Sequence, residues 1–250
     1  MRQIILHNHL FKNAGTSVDQ ILERNFPGRW ASREFSADSG PVTAQVADWI
    51  LENDRAVAFS SHTIACPLPR IDGVRIIPIV LLREPVERIA SAYRFERLQD
   101  AQTKGAVLAK QHGLAGYVHA RLSIPGDRQC RNFQTARLAA LMPAAPGTEL
   151  DRARAALREV AQTGVLGLVA DFGGAMKRLT DLVSAQHPDF RAHPITANAT
   201  RMTASHSMSP EMRTLLEETN MDDSQLLEFA RGLLDQAGSG AGAPQLAGTV

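Results

Sequence analysis

Residues 4–22 read IILHNHLFKNAGTSVDQIL. An apolar run from Ile4 to His7 gives way to a short turn of small and polar residues. The turn opens an amphipathic segment with Val18, Ile21 and Leu22 on one helical stripe. A strand, a small-residue loop and a helix in this order form a cradle for an anion. The first N–H groups of a helix have no intrahelical acceptor, and the helix dipole adds about half a positive charge there. Lys12 contributes a full charge, Gly15 lets backbone come close to a ligand, and Thr16 and Ser17 add hydroxyl donors. The loop is not a Walker A sequence: its lysine precedes the glycine, and the magnesium-binding hydroxyl that follows the Walker lysine is missing in register. Taken alone, the stretch is equally an ordinary strand–turn–helix with a solvated lysine.

Further along, Ala56 to Ser60 and Arg75 to Leu82 read as buried strands, and Val165 to Val169 as a fourth. Near-continuous apolar strands point to a parallel sheet covered on both faces. Helical patterns lie between them: one around Val42, Val46, Trp49 and Ile50, and one around Val86, Ile89, Ala90 and Tyr93, with Pro85 at the favoured first helical position. The polar stretch 100–122 reads as helical, as do 132–141, 150–161 and 172–186, and 210–236 reads as two helices. Strands alternating with helices give an α/β fold, a P-loop-like open parallel sheet flanked by helices, in one domain over residues 1–237 with a helical C-terminal part. The Gly/Ala-rich stretch 238–250 is expected to be a disordered tail.

A second anion grip is legible at VLLREPVERIASAYRF, residues 80–95. A buried strand delivers Arg83 at its carboxyl end, where open α/β sheets bind ligands. Ser91 follows about two helical turns later, so that a guanidinium and a hydroxyl can meet one phosphate. A surface ion pair of Arg83 with Glu87 is the plainer alternative. Two grips on neighbouring strand ends suit a ligand with two separated anionic groups.

These two segments resemble those of sulfotransferases that use 3′-phosphoadenosine 5′-phosphosulfate (PAPS). HLFKNAGTS is similar to their 5′-phosphosulfate loop, and VLLREPVERIASAY to their 3′-phosphate segment, commonly [LV]-R-[DN]-P-x-x-R-x-x-S. The flavour is that of the heparan 2-O- and 6-O-sulfotransferase group and its bacterial relatives. SSH at 60–62, RNFQTARLA at 131–139, GLVADFGGAMKRL at 167–179 and NMDDSQLLEFA at 220–230 also fit this group. Asn13-Ala14 stands where Thr-Gly or Thr-Ala is common, and Glu84 where Asp is usual.

The resemblance implies sulfuryl transfer from PAPS to a hydroxyl of a carbohydrate or other small acceptor. Such a transfer is an in-line displacement that depends on positioning and electrostatics and needs no metal. It implies that Lys12 stabilises the leaving group, that the loop 12–17 (Lys12, Asn13, Ala14, Gly15, Thr16, Ser17) holds the 5′-phosphate, and that Arg83 and Ser91 hold the 3′-phosphate. Arg201, in the polar stretch 198–207, adds charge if that stretch closes over the nucleotide. His62 matches the histidine of the glycan-modifying relatives and is the expected general base. His9, Glu96, Arg131, Asn132 and Gln134 are candidates for the acceptor cleft, although a polar helix face explains the last three as well.

The bulk numbers limit the partners. A formal net charge of +1 over 250 residues provides no global basic field for nucleic acid. No apolar run approaches the ~20 residues needed to span a bilayer, so the expected setting is the cytoplasm, away from membranes. Cys66 and Cys130 offer neither a disulfide framework nor metal-ligand spacing. The competing classes are a small-molecule kinase of P-loop type, which shares the fold, and a nucleotide-binding protein without catalysis.

Overall fold

The computed structural model describes residues 1–192 and 208–238. The apolar runs become strands of one sheet. Arg2–Asn8 is β1, and the turn after it enters α1, Gly15–Asn25, whose apolar stripe Val18, Ile21 and Leu22 is buried. A short strand, β2, Trp30–Ser32, and a helix, α2, Val42–Glu52, lead to β3, Ala58–Ser61. The chain then crosses to β4, Val74–Leu82, the longest strand. A helical run follows: α3 (Pro85–Leu98), α4 (Lys104–Gln111), α5 (Leu114–Ser123), α6 (Phe133–Ala139) and α7 (Glu149–Thr163). After it come β5, Val165–Leu168, and α8, Phe172–Val183. Two further helices, α9 (Pro210–Thr219) and α10 (Met221–Gly238), complete the described residues.

The sheet has five strands in the order β2-β3-β1-β4-β5, and every pair is parallel. This is the open parallel sheet that the apolar runs predict. Alternate side chains divide between two layers. Ile5, Ala58, Ile77, Ile79, Leu81 and Val165 pack on α1 and α8. Ile4, Leu6, Phe59, Val80, Leu82 and Leu166 pack on α2, α6, α7 and α10. A satellite core of Val86, Ile89, Tyr117, Val118 and Leu216 joins α3, α5 and α9 beside the sheet.

Several boundaries differ from the sequence reading. Strand β2 is an addition: three residues at a sheet edge, hydrogen-bonded only to β3, carry too little pattern to stand out. The stretch 100–122 is two helices, parted where α4 ends at His112 and Gly113 caps α5. The segment 172–186 ends its helix at Val183. Arg201 and the expected tail beyond Gly238 lie outside the described residues. Among the described residues, no helix is long and apolar enough to cross a membrane. Both cysteines are buried and free, and burial pushes the Cys130 thiol up to about 12.

The chain leaves β1 for strands on one side, then crosses to β4 on the other. Such a switch point opens a crevice at the carboxyl ends of the strands. The loop after β1, His62 after β3 and Arg83 after β4 all emerge there.

Candidate functional site

The loop between β1 and α1 is held in an unusual shape. Lys12 (φ 65°) and Ala14 (φ 61°) both lie in the left-handed region although neither is glycine, a conformation that costs free energy unless its surroundings impose it. Ala14 is the N-cap of α1 and supplies no side-chain acceptor. The helix therefore starts without a side-chain cap; the Ser17 N–H turns back to the Ala14 carbonyl at 3.0 Å, and the N–H groups of Gly15 and Thr16 are left to an outside acceptor. A left-handed residue followed by a helical one makes the concave backbone arrangement that attracts anions.

The buried Asn13 side chain fixes this loop. Its Nδ2 donates to the Leu81 carbonyl on β4 and to Gln134 Oε1 on α6, both at 2.7 Å. Gln134 in turn accepts from the Arg83 N–H at 2.9 Å and donates to the Arg83 carbonyl at 2.8 Å. Asn13 and Gln134 thus tie the two cationic segments to each other. Gln134 is 1 % exposed, so the structure moves it from the acceptor cleft to the supporting framework, and Asn13 contributes through its backbone position and this clamp.

Arg83 extends over the loop, and its Nη1 donates to the Lys12 carbonyl at 3.2 Å. Its Nε lies 3.7 Å from Glu87 one helical turn on. Lys12 and Arg83 therefore belong to one cationic cluster on one crevice. Lys12 Nζ rests 4.3 Å from the centre of the Phe95 ring, which meets Phe11 edge-on. Burial first, then the charges of Arg83 and Arg94, lower the Lys12 ammonium from its ordinary value. Burial likewise lowers Arg83, with Glu87 opposing it and Arg94 adding to it. Arg94 is the member that sequence reading missed. Glu87, Ser91 and Arg94 are spaced i, i+4, i+7 on α3, next to Phe95. The face that touches Arg83 through Glu87 and Lys12 through Phe95 thus also carries Ser91. The Glu84 side chain caps α3 through the N–H groups of Val86 and Glu87, so glutamate serves where aspartate is usual.

Beside the cations is a row of three imidazoles. His7 and His9 stack with ring centres 5.1 Å apart, and His9 meets His62 at 3.8 Å. Asp19, on the second turn of α1, accepts from His7 Nδ1 at 2.7 Å and from His9 Nδ1 at 2.8 Å. Burial would raise this carboxyl, but the two imidazole hydrogen bonds outweigh it and hold Asp19 far below the usual carboxylate range. His62 is exposed, and its Nδ1 pairs with Glu34 at 2.7 Å. Burial would raise Glu34 as well, but the contacts with His62 and Thr63 lower it on balance. Arg137 of α6 donates to the His62 carbonyl and so anchors the segment that carries it. Two imidazoles and a carboxylate can also gather a divalent cation; here both Nδ1 atoms are taken up by Asp19.

Gly15 has a reason other than close approach to a ligand. A Cβ there would lie 2.0 Å from His9 Cδ2 and 2.1 Å from His9 Nε2, so glycine is required because the His9 ring lies on the first turn of α1. Thr16 is exposed and Ser17 half-buried at the same turn.

Three expected acceptor residues are elsewhere. Glu96 is buried in a closed network, accepting from Tyr117 Oη at 2.6 Å and from Arg121 Nη2 at 2.7 Å. It faces α5 because α3 turns that side away from the loop. Arg131 donates to the Leu122 carbonyl at 3.2 Å. Asn132 bonds Asp222 at 3.0 Å and accepts from the Asp223 N–H. Both fasten the start of α6 to neighbouring helices. Asp223, 1 % exposed, accepts from the N–H groups of Gln134 and Thr135 and so caps α6.

No family model matches the chain. A protein of Archaeoglobus fulgidus, itself of uncharacterized function, is 38% identical to it over 204 residues, covering 79% of each chain. The chain belongs to the same family as that archaeal protein.

Proposed function

We propose that this protein is a sulfotransferase that moves a sulfuryl group from PAPS to a hydroxyl of a carbohydrate or another small acceptor. The observation that carries this reading is the cluster of Lys12, Arg83 and Arg94 at the loop that opens α1, a helix with no side-chain cap, with histidines on the same loop and beside it. The donor set fits a doubly anionic nucleotide: three cations and the N–H groups of Gly15 and Thr16, against Glu87 and Glu84 as acidic neighbours of Arg83. PAPS, when bound, supplies an activated sulfur–oxygen bond and a phosphate leaving group.

The remaining chemistry falls to the chain. Lys12 and the first N–H groups of α1 stabilise charge that builds on a leaving phosphate oxygen, a contribution worth about 3–4 kcal/mol per well-placed donor. Thr16 and Ser17 offer hydroxyls to the same group. Arg83, with Ser91 on the facing side of α3, suits the second phosphate. His62 is the base in this reading. Glu34 is bonded to its Nδ1, which keeps the proton there and leaves Nε2 as the acceptor for a hydroxyl proton. Its exposure suits contact with an acceptor arriving from solvent.

The test is calorimetric titration with adenosine 3′,5′-bisphosphate, followed by transfer from radiolabelled PAPS to a panel of hydroxyl acceptors. Binding and transfer are expected. A folded protein that ignores the nucleotide contradicts the reading, and magnesium-dependent ATP hydrolysis in its place favours a kinase.

A further inference from the structure

We propose that His7, His9 and Asp19 form a site for zinc or a similar transition-metal dication, which clips the end of β1 to α1 across the anion loop. The clip is structural, takes no part in the transfer chemistry and is independent of the reading above.

The fold gathers the donors. His7 and His9 stand two positions apart at the end of β1, so the strand pleat turns both side chains to the face covered by α1. Their rings stack with centres 5.1 Å apart. Each presents Nδ1 to a different oxygen of Asp19, at 2.7 and 2.8 Å, and the ligand atoms all lie within 4.8 Å of one another. Zinc bonds of about 2.0–2.2 Å set tetrahedral ligands roughly 3.3 Å apart. Asp19 therefore has to withdraw from each ring by about half an ångström. Its side chain is 18 % exposed, which leaves it room to move and gives an ion a way in from solvent.

The exchange balances. A carboxylate only accepts, so each Nδ1 carries the hydrogen of its bond to Asp19. As the ion binds, that hydrogen leaves Nδ1 and Nε2 takes one up, so both rings stay neutral with no net loss of protons. Two imidazole nitrogens and one carboxylate oxygen suit zinc, cobalt or nickel, unlike the all-oxygen sites of magnesium and calcium. The fourth position falls to water on the Asp19 side. His62 is not a member, because its Nδ1 is engaged by Glu34. Among the described residues no other histidine, cysteine and carboxylate side chains gather in this way. The chain that the clip closes includes Lys12 and Ala14, both left-handed. Coordination in place of two hydrogen bonds holds that loop more firmly, and it turns the cluster from singly negative to singly positive beside Lys12.

The experiment uses untagged protein stripped with a chelator, titrated with zinc chloride by calorimetry and followed through its imidazole resonances by NMR. One zinc per chain is expected, with a melting temperature that rises with zinc concentration. His7 and His9 are expected to pass from the Nδ1–H to the Nε2–H tautomer, and cobalt to give the visible bands of a tetrahedral site. Asp19→Asn and His9→Gln should each weaken zinc more than about 100-fold, beyond the cost of losing an outer partner. His112→Gln, at the end of α4, should leave it unchanged. If either site variant fails to fold, the tautomers of the wild type decide. A folded wild type that binds none of zinc, cobalt and nickel overturns the proposal. So does zinc binding that leaves the tautomers of His7 and His9 unchanged, or that persists at full affinity in folded Asp19→Asn and His9→Gln. Neither nucleotide binding nor transfer enters the test, so this proposal and the sulfotransferase reading fail separately.

Discussion

Two regions of this protein concentrate buried charge, and they differ in whether the charge is balanced. In the helical part, Glu96 is met by Tyr117 and Arg121, Arg121 also by Asp127 at 2.7 Å, and Asp223 by the N–H groups of α6. Each of these carboxylates has its donors, and opposite charges are paired within the helical part. At the carboxyl ends of β1, β3 and β4, Lys12, Arg83 and Arg94 crowd together beside a helix start with no side-chain cap; Glu87, 3.7 Å from Arg83, offsets part of this charge, and burial with the neighbouring cations still lowers Lys12 and Arg83 from their ordinary values. Closed networks hold helices together. A cluster whose members repel one another is kept at a cost in stability, and a ligand of opposite charge relieves that cost.

Substitutions in the two regions are expected to separate stability from binding. The largest effect is expected for Arg121→Ala, which strands Glu96 in a buried site and should cost about 3–5 kcal/mol. Chemical denaturation reads that loss, and a near-unchanged stability would break the comparison on the structural side. Lys12→Ala is expected to slow transfer by roughly 10²–10³-fold with little change in melting temperature; a matched loss of stability would make Lys12 structural. Arg83→Ala should weaken adenosine 3′,5′-bisphosphate by about 1.5–3 kcal/mol and reduce the salt dependence of binding, both readable by calorimetry. Asp19 gives a pH signature. Its folded-state carboxyl lies below its ordinary value, so its stabilisation is complete above about pH 4 and drains as pH falls further toward the folded value. Asp19→Asn should flatten the acid limb of a pH–stability profile. The smallest effect belongs to Phe95→Leu, which removes the ring under Lys12 and should cost about 0.5–1 kcal/mol, seen as a faster reaction of Lys12 with an amine-labelling reagent.

Much of this layout is legible in the sequence, and the gaps have physical causes. Apolar runs report buried strands directly, so β1, β3, β4 and β5 are readable, whereas β2 is a three-residue edge with no run to report. The loop and the Arg83 segment stand out because their chemistry is local in sequence. Arg94 does not, since its relevance depends on which face of α3 turns toward Lys12, and that is settled by Phe95 and Glu87 across the fold. Gln134, Asn132 and Glu96 read as cleft residues because polarity is visible in a sequence and burial is not. In the fold they are satisfied by partners between 21 and 121 positions away. The tie between Gly15 and His9 is also tertiary, though both residues lie in one short stretch.

In the proposed function, Lys12, Arg83 and the start of α1 form a single site for a bisphosphorylated nucleotide. Calorimetry of adenosine 3′,5′-bisphosphate with the wild-type protein, with Lys12→Ala and with Arg83→Ala, each checked for an intact fold, tests it most directly. The prediction is one site per chain in the wild type, weakened by each substitution. Equal affinity in all three proteins, or no binding to a folded wild type, would contradict it.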